Sequence, residues 1–212
     1  MMQINFRLIV LFSFLLIFTL LTPQISAQRL YKKKVKHKPV PFYKIKVKDI
    51  YGKTYLLNRY KGKPVLIINI ASESKYSSQI EDMETLYEKY FEDGLVVLGV
   101  PSNDFGSKES KGDIELLDYL TQNFYITFPM LRKTRIRGSK IHPLYVFLTH
   151  PSSNPKFSGP IIWNFDKFLI DKKGKVVNRF NATQPPLGDD VESAILKLVQ
   201  KSRIRSEEHT SE

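Results

Sequence analysis

An α/β domain, with a central mixed sheet, flanking helices and an N-terminal β-hairpin, is the fold this sequence predicts. Three observations carry it. Two stretches, "PVLIINIA" and "LVVLGV", are apolar on both faces, as strands in the middle of a sheet must be. Between them lies a segment with apolar residues at three- and four-residue spacings, the period of an amphipathic helix. Near the start, alternating apolar and polar residues run into a turn glycine and resume, and near the end a "KKGK" turn separates two strand-like runs, each the pattern of a β-hairpin.

The elements follow in order from Phe42. "FYKIKVKD" alternates, "IYGK" holds a turn glycine, and "TYLLN" resumes in strand-like residues, which together predict the first hairpin. The polar "RYKGK" leads into the first central strand. Residues 77–92 then place Ile80, Met83, Leu86, Tyr87 and Tyr90 on one helical face, as core side chains with no cofactor to hold. Gly94 stops that helix and "LVVLGV" follows, closing a βαβ unit whose crossover must be right-handed. A loop, "PSNDFGSKESKG", precedes a second helix over 113–124 and the short segment "TFPML". "HPLYVFLTH" reads as a helix, and a Pro/Ser/Gly-rich loop spans 151–160. "IWNFDKFLID", a "KKGK" turn and "VVNRF" predict the second hairpin. Leu187 to Gln200 closes the chain as a helix with Val191, Ile195 and Leu198 on its inner face. The order hairpin, βαβ, α, ββα describes a thioredoxin-like fold.

The ends differ from this body. Arg7 precedes "LIVLFSFLLIFTLL", and "QISA" offers small residues for cleavage after Ala27, so residues 1–27 read as a secretory signal peptide. Its apolar run of about 14 residues is short of the roughly 20 that span a bilayer. Secretion, or residence in the endoplasmic reticulum lumen, is the expected location. Residues 28–41 form a basic arm, concentrated in "RLYKKKVKHK" at 29–38. Like charges repel, so the arm is expected to be solvated and disordered, and to adhere at most weakly to a polyanion or an anionic membrane surface. At the other end "RSEEHTSE", 205–212, matches the translation of a common sequencing adapter and carries no weight in the argument.

The whole chain of 212 residues has a net charge of +12 and no cysteine. The charge directs attention to acidic partners. The missing cysteine excludes disulfide stapling and every mechanism that needs a thiol. No His/Cys/carboxylate cluster has metal-ligand spacing and no Gly-rich phosphate loop occurs, so neither metal nor cofactor is expected. "NAT" makes Asn181 a glycosylation candidate in a secreted chain.

Five stretches, "KGKPVLIINIAS", "GLVVLGVPSNDFG", "FPML", "HPLY" and "WNFDKFLIDKKGKVVNRF", taken in this order and spacing, resemble the glutathione peroxidase family. The resemblance runs from Phe42 to Gln200 and defines a domain at 42–201. It implies thiol-dependent reduction of hydrogen peroxide and lipid hydroperoxides, in response to oxidative stress, with glutathione or another thiol as reductant. The short loop before "FPML" resembles the monomeric, phospholipid-hydroperoxide type.

Carried residue by residue, the resemblance puts Ser74 where the family has its peroxide-reactive selenocysteine or cysteine, and Lys75 where a glycine usually stands. Asp104 takes the place of a glutamine and Ser102 that of a frequent cysteine, whereas the family's tryptophan and asparagine are kept as Trp163 and Asn164. A thiolate forms near neutral pH and passes through a sulfenic acid; a serine hydroxyl does neither. The resemblance therefore implies a catalytically impaired homologue, whose vestigial pocket would hold a peroxide-like or thiol-like ligand. Hydrolysis by Ser74 would need an oriented base, and His37, His142, His150 and His209 are not placed near it. Three further expectations concern neighbours: Asp104 pairs with Ser74 and Lys75, Trp163 packs at the pocket rim, and Asn164 hydrogen-bonds backbone.

Overall fold

The computed structural model describes residues 38–209, with side chains for 38–199. Residues 1–37, which include the segment read as a signal peptide and most of the one read as a basic arm, lie outside the described residues, as do residues 210–212. After a short 3-10 turn at Phe42–Lys44, strands β1 (Lys46–Lys48) and β2 (Thr54–Leu56) pair antiparallel as the predicted hairpin. The central sheet then takes β3 (Val65–Ile70), β4 (Val96–Pro101), β5 (Lys167–Ile170) and β6 (Val176–Phe180) in the order β4-β3-β5-β6. β3 and β4 are parallel across helix α1 (Gln79–Tyr90), whereas β3–β5 and β5–β6 are antiparallel. Helices α2 (Asp113–Phe124), α3 (Pro143–Thr149) and α4 (Asp189–His209) complete the mixed α/β, thioredoxin-like fold.

Every residue of β3 is buried, because both faces of the sheet are covered. Leu66, Ile68 and Ile70 pack with Ile80, Met83 and Leu86 of α1, Leu116 and Leu120 of α2, and Val191 and Ile195 of α4. Val65 and Ile67 point the other way, into a cluster with Val47, Leu57, Leu144, Tyr145 and Phe147. The strand's period of two divides its aliphatic side chains between the two layers, which is why no polar face is visible in its sequence. Truncating one of these side chains to alanine would cost about 2–5 kcal/mol.

Two details depart from the sequence reading. In α4 the inner face is Val191, Ile195 and Val199, with Leu198 only half-buried, so the helix follows strict four-residue spacing. The same helix continues past Gln200 to His209, into the segment read as adapter-derived. The "TFPML" segment runs beside β4, bridging Gly99 with Met130 and Asp49 with Leu131. A Cβ at Gly99 would collide with the Met130 sulfur, so glycine is what lets this segment lie against the strand.

Candidate functional site

β3 delivers Asn69 at its C-terminal end, and the chain then turns through Ala71–Ser78 into α1. Within that turn the Ser74 N–H donates to the Ala71 carbonyl at 3.1 Å, and the Ser77 N–H donates to the Ser74 carbonyl at 3.0 Å. The Ser74 hydroxyl is 5% exposed and accepts the Tyr76 N–H at 3.3 Å. A serine oxygen used in this way stabilises the turn. Neither Asp104 nor Glu109 hydrogen-bonds to it. The imidazoles of His142 and His150 are engaged at the two ends of α3, with Leu144 and Ser152 respectively.

The turn is tied to the loop that follows β4. The buried Glu109 carboxylate accepts the Ser72 N–H at 2.7 Å and the Ser72 hydroxyl at 3.2 Å, and the Glu73 N–H donates to the Lys108 carbonyl at 3.0 Å. Lys111 ion-pairs with Glu73 at 3.1 Å. Burial pushes the Glu109 carboxyl above its ordinary range, against the pull of the Ser72 bonds and the positive charges of Lys133 and Lys111. Sequence reading missed Glu109, because a lone glutamate in "GSKESKG" looks like part of a solvated loop.

The expected Asp104–Lys75 pair is not formed. The Asp104 carboxylate accepts the Ile136 and Arg137 N–H groups at 2.7 and 3.2 Å and ion-pairs with Arg135 at 3.3 Å. Its own N–H donates to the hydroxyl of the buried Ser102 at 3.3 Å. Lys75 is exposed, with its ammonium 5.0 Å from the centroid of the Tyr76 ring. Two successive backbone N–H groups hold a carboxylate without losing side-chain entropy, which an exposed lysine cannot do.

Trp163 is exposed, in the bend before β5. Its ring lies 5.8 Å from that of Phe105, and a Cβ added at Gly106 would come within 3.3 Å of it. Asn164 is fully buried, and its partner is a side chain rather than backbone: Asn69 Nδ2 donates to Asn164 Oδ1 at 3.5 Å and to the Trp163 carbonyl at 3.3 Å. The Asn164 Nδ2 and Asn69 Oδ1 atoms are buried without a protein partner. The next residue, Phe165, adopts φ +71°, a strained backbone for a bulky side chain, and its N–H donates to the Asn69 carbonyl at 2.8 Å. The kink fixes Trp163 and Asn164 against the end of β3.

The four motif residues therefore fall into two pairs of surroundings. Trp163 and Asn164 are fastened to β3 through Asn69, while the Ser74 hydroxyl takes an N–H of its own turn and the Asp104 carboxylate takes N–H groups of the 136–137 backbone. A cavity of about 490 Å³ has Asn103, Asp104 and Arg132 to Arg135 in its wall, without Ser74, Trp163 or Asn164. Asn181 is exposed, and its Oδ1 accepts both the N–H and the hydroxyl of Thr183 at 2.8 and 2.6 Å.

A solved thioredoxin-family protein from Chlorobium tepidum matches the chain with a TM-score of 0.55 at 18% identity, covering 78% of this chain and 99% of that one. This places the architecture in the thioredoxin-like class. The family model for glutathione peroxidase matches residues 42–149. A glutathione peroxidase-like peroxiredoxin 2 of Saccharomyces cerevisiae is 36% identical over 158 residues, covering 74% of this chain and 98% of the relative. A glutathione peroxidase of Lactococcus lactis is 37% identical over 158 residues, with coverage of 74% and 99%. Among solved structures, T. cruzi GPX1 gives a TM-score of 0.59 at 33% identity, covering 76% of this chain and 97% of that one. The chain belongs to the glutathione peroxidase family.

Proposed function

We propose that this chain is a secreted member of the glutathione peroxidase family that has lost peroxidase turnover and acts by binding. One observation carries the reading: a serine stands at the family's nucleophile position in a chain with no cysteine anywhere. Hydroperoxide reduction needs a side chain that is oxidised by the O–O bond and restored by a thiol, and a hydroxyl has no such oxidised form. The setting of Ser74 supports the same reading, since its oxygen caps a turn and Asp104 is bonded to the 135–137 backbone. Trp163, Asn164 and the unpartnered amide atoms beside them would form what remains of a pocket for a peroxide-like or thiol-like ligand.

The rival reading is an active peroxidase using glutathione or another thiol. It is favoured by the relatives, whose names are those of peroxidases and peroxiredoxins. A peroxidase assay on residues 28–204, with hydrogen peroxide and a phospholipid hydroperoxide and with glutathione or thioredoxin as reductant, separates the two. Silence of the wild type supports the binding reading; turnover that Ser74→Ala leaves unchanged would overturn this account of the site.

Secretion rests on the signal-like residues 1–27, and monomeric behaviour on the short loop before "FPML". Expression in a secretory host tests the first through Asn181, whose glycan would be removed by a glycosidase with a visible mobility shift. Adhesion of residues 29–38 to polyanions or anionic membranes would weaken steeply between low and physiological salt.

A further inference from the structure

The segment after Leu131 is densely basic, with Arg132, Lys133, Arg135, Arg137 and Lys140 in quick succession. It folds onto the first hairpin: the Arg132 N–H donates to the Lys48 carbonyl at 3.0 Å, and the His142 N–H closes the loop on the Arg135 carbonyl at 2.9 Å. A cleft of about 430 Å³ opens between them, within the size range of small-molecule sites. Six basic side chains, Lys46, Lys48, Arg132, Lys133, Arg135 and Lys140, line it together with Thr54, Thr134 and His142, and no carboxylate does.

The acidic groups nearby are already committed. Asp113 ion-pairs with Arg132 at 2.7 Å and takes the Lys133 N–H, Asp104 is held by Arg135 and two backbone N–H groups, and the Lys133 ammonium donates to the Glu109 carbonyl at 2.9 Å. Lys46, Lys48 and Lys140 are exposed and, among the described residues, ion-pair with no carboxylate. Lys46 and Lys48 project from the same face of β1, two residues apart, with Val47 buried between them. Burial pushes the His142 imidazole down, so the cleft's charge near neutral pH comes from its lysines and arginines. The floor, Val47 and Leu131, is apolar and anchored in the core.

Of the six basic side chains, Lys46, Lys48 and Lys140 have no carboxylate counter-ion among the described residues; their like charges repel one another, and a single monovalent anion in water offsets little of that. We infer that this cleft binds a compact ligand carrying two or more closely spaced phosphate groups, bridged between Lys46 and Lys48 on the hairpin and Lys140 on the segment after Leu131. The cleft does not include Ser74 in its lining. It stands whether or not the chain reduces peroxide.

Calorimetric titration of the full chain with inorganic tripolyphosphate at low ionic strength tests it. Saturable one-to-one binding is expected, at least tenfold tighter than for orthophosphate. The triple variant Lys46→Ala, Lys48→Ala, Lys140→Ala should weaken it tenfold or more with its melting temperature unchanged, since all three side chains are exposed. Neutralising Lys32, Lys33 and Lys34 of the arm should change the affinity less than twofold. Absence of saturable binding, wild-type affinity in the triple variant, or loss of binding in the arm variant would each overturn the inference. Vesicles bearing a bisphosphorylated inositol lipid identify the source of the phosphates. Retention that tripolyphosphate displaces assigns a lipid headgroup, and no retention assigns a soluble ligand.

Discussion

Trp163 with Asn164, and Ser74 with Asp104, are the two halves of the motif that the resemblance carries onto this chain, and their surroundings differ. The first half is fastened to the central sheet through Asn69 and the strained turn at Phe165. The second lies in loops, where its polar atoms take backbone N–H groups that any carboxylate or hydroxyl of the right reach could accept. Trp163 and Asn164 lie in the bend and turn before β5 and meet β3 through the Asn69 side chain. Ser74 and Asp104 lie in the loops after β3 and β4, where backbone N–H groups take up their side-chain oxygens.

The largest test of that contrast is chemical. Ser74→Cys should raise hydroperoxide turnover to at least roughly a hundredfold above the wild-type background, because a cysteine can ionise and be oxidised where a serine cannot. A silent Ser74→Cys variant that Ser74→Cys/Asp104→Gln rescues would show that the whole loop half has lost its function, and would sharpen the comparison.

Next comes Glu109→Ala, which strands the Ser72 N–H and hydroxyl beneath the turn. Urea denaturation should show a loss of about 2–3 kcal/mol. A loss below about 1 kcal/mol would mean that the turn holds itself and that Glu109 is incidental.

A paired comparison follows. Asp104→Ala removes an acceptor from two backbone N–H groups and one arginine, and should cost about 1.5–3 kcal/mol. Asn164→Leu keeps the volume and removes an amide whose Nδ2 has no protein partner, so its cost should stay within about 1 kcal/mol. A larger cost for Asn164→Leu than for Asp104→Ala would reverse the assignment, making Asn164 purely architectural.

A pH-dependent test concerns Lys167, the first residue of β5. Its ammonium is buried and donates to the Phe165 and Asn181 carbonyls at 2.8 and 3.3 Å, and burial pushes its pKa down to about 7. The unfolded chain, with an ordinary lysine, holds more protons than the folded chain between about pH 7 and 10. Stability from this group therefore rises with pH across that window, and its full cost is felt below it. The stability of wild type relative to Lys167→Met should increase from pH 7 to 10, read from melting temperatures. A constant difference would mean that Lys167 titrates normally.

Much of the fold was legible because its signals are local. β3 and β4 read as buried strands from unbroken aliphatic runs, α1 from its 3.6-residue period, and both hairpins from alternation around a turn glycine. The α4 face was misjudged by one residue, Leu198 for Val199, since either satisfies helical spacing and only the position of the sheet chooses between them. In the candidate site Trp163 and Asn164 were found by resemblance, but the partner of Asp104 was predicted wrongly and Glu109 was not found at all.

The sequence by itself determined the period of each element, the family motif, and the absence of any thiol, because these are properties of which residues occur and at what spacing. Only the tertiary structure decided where Asp104 spends its charge, why Glu109 is buried, and that the basic residues near 46 and 135 face one another across a cleft. These are contacts between segments tens of residues apart. They depend on how the hairpin, the "FPML" segment and the loop after β4 pack around the sheet, and no local periodicity encodes that packing.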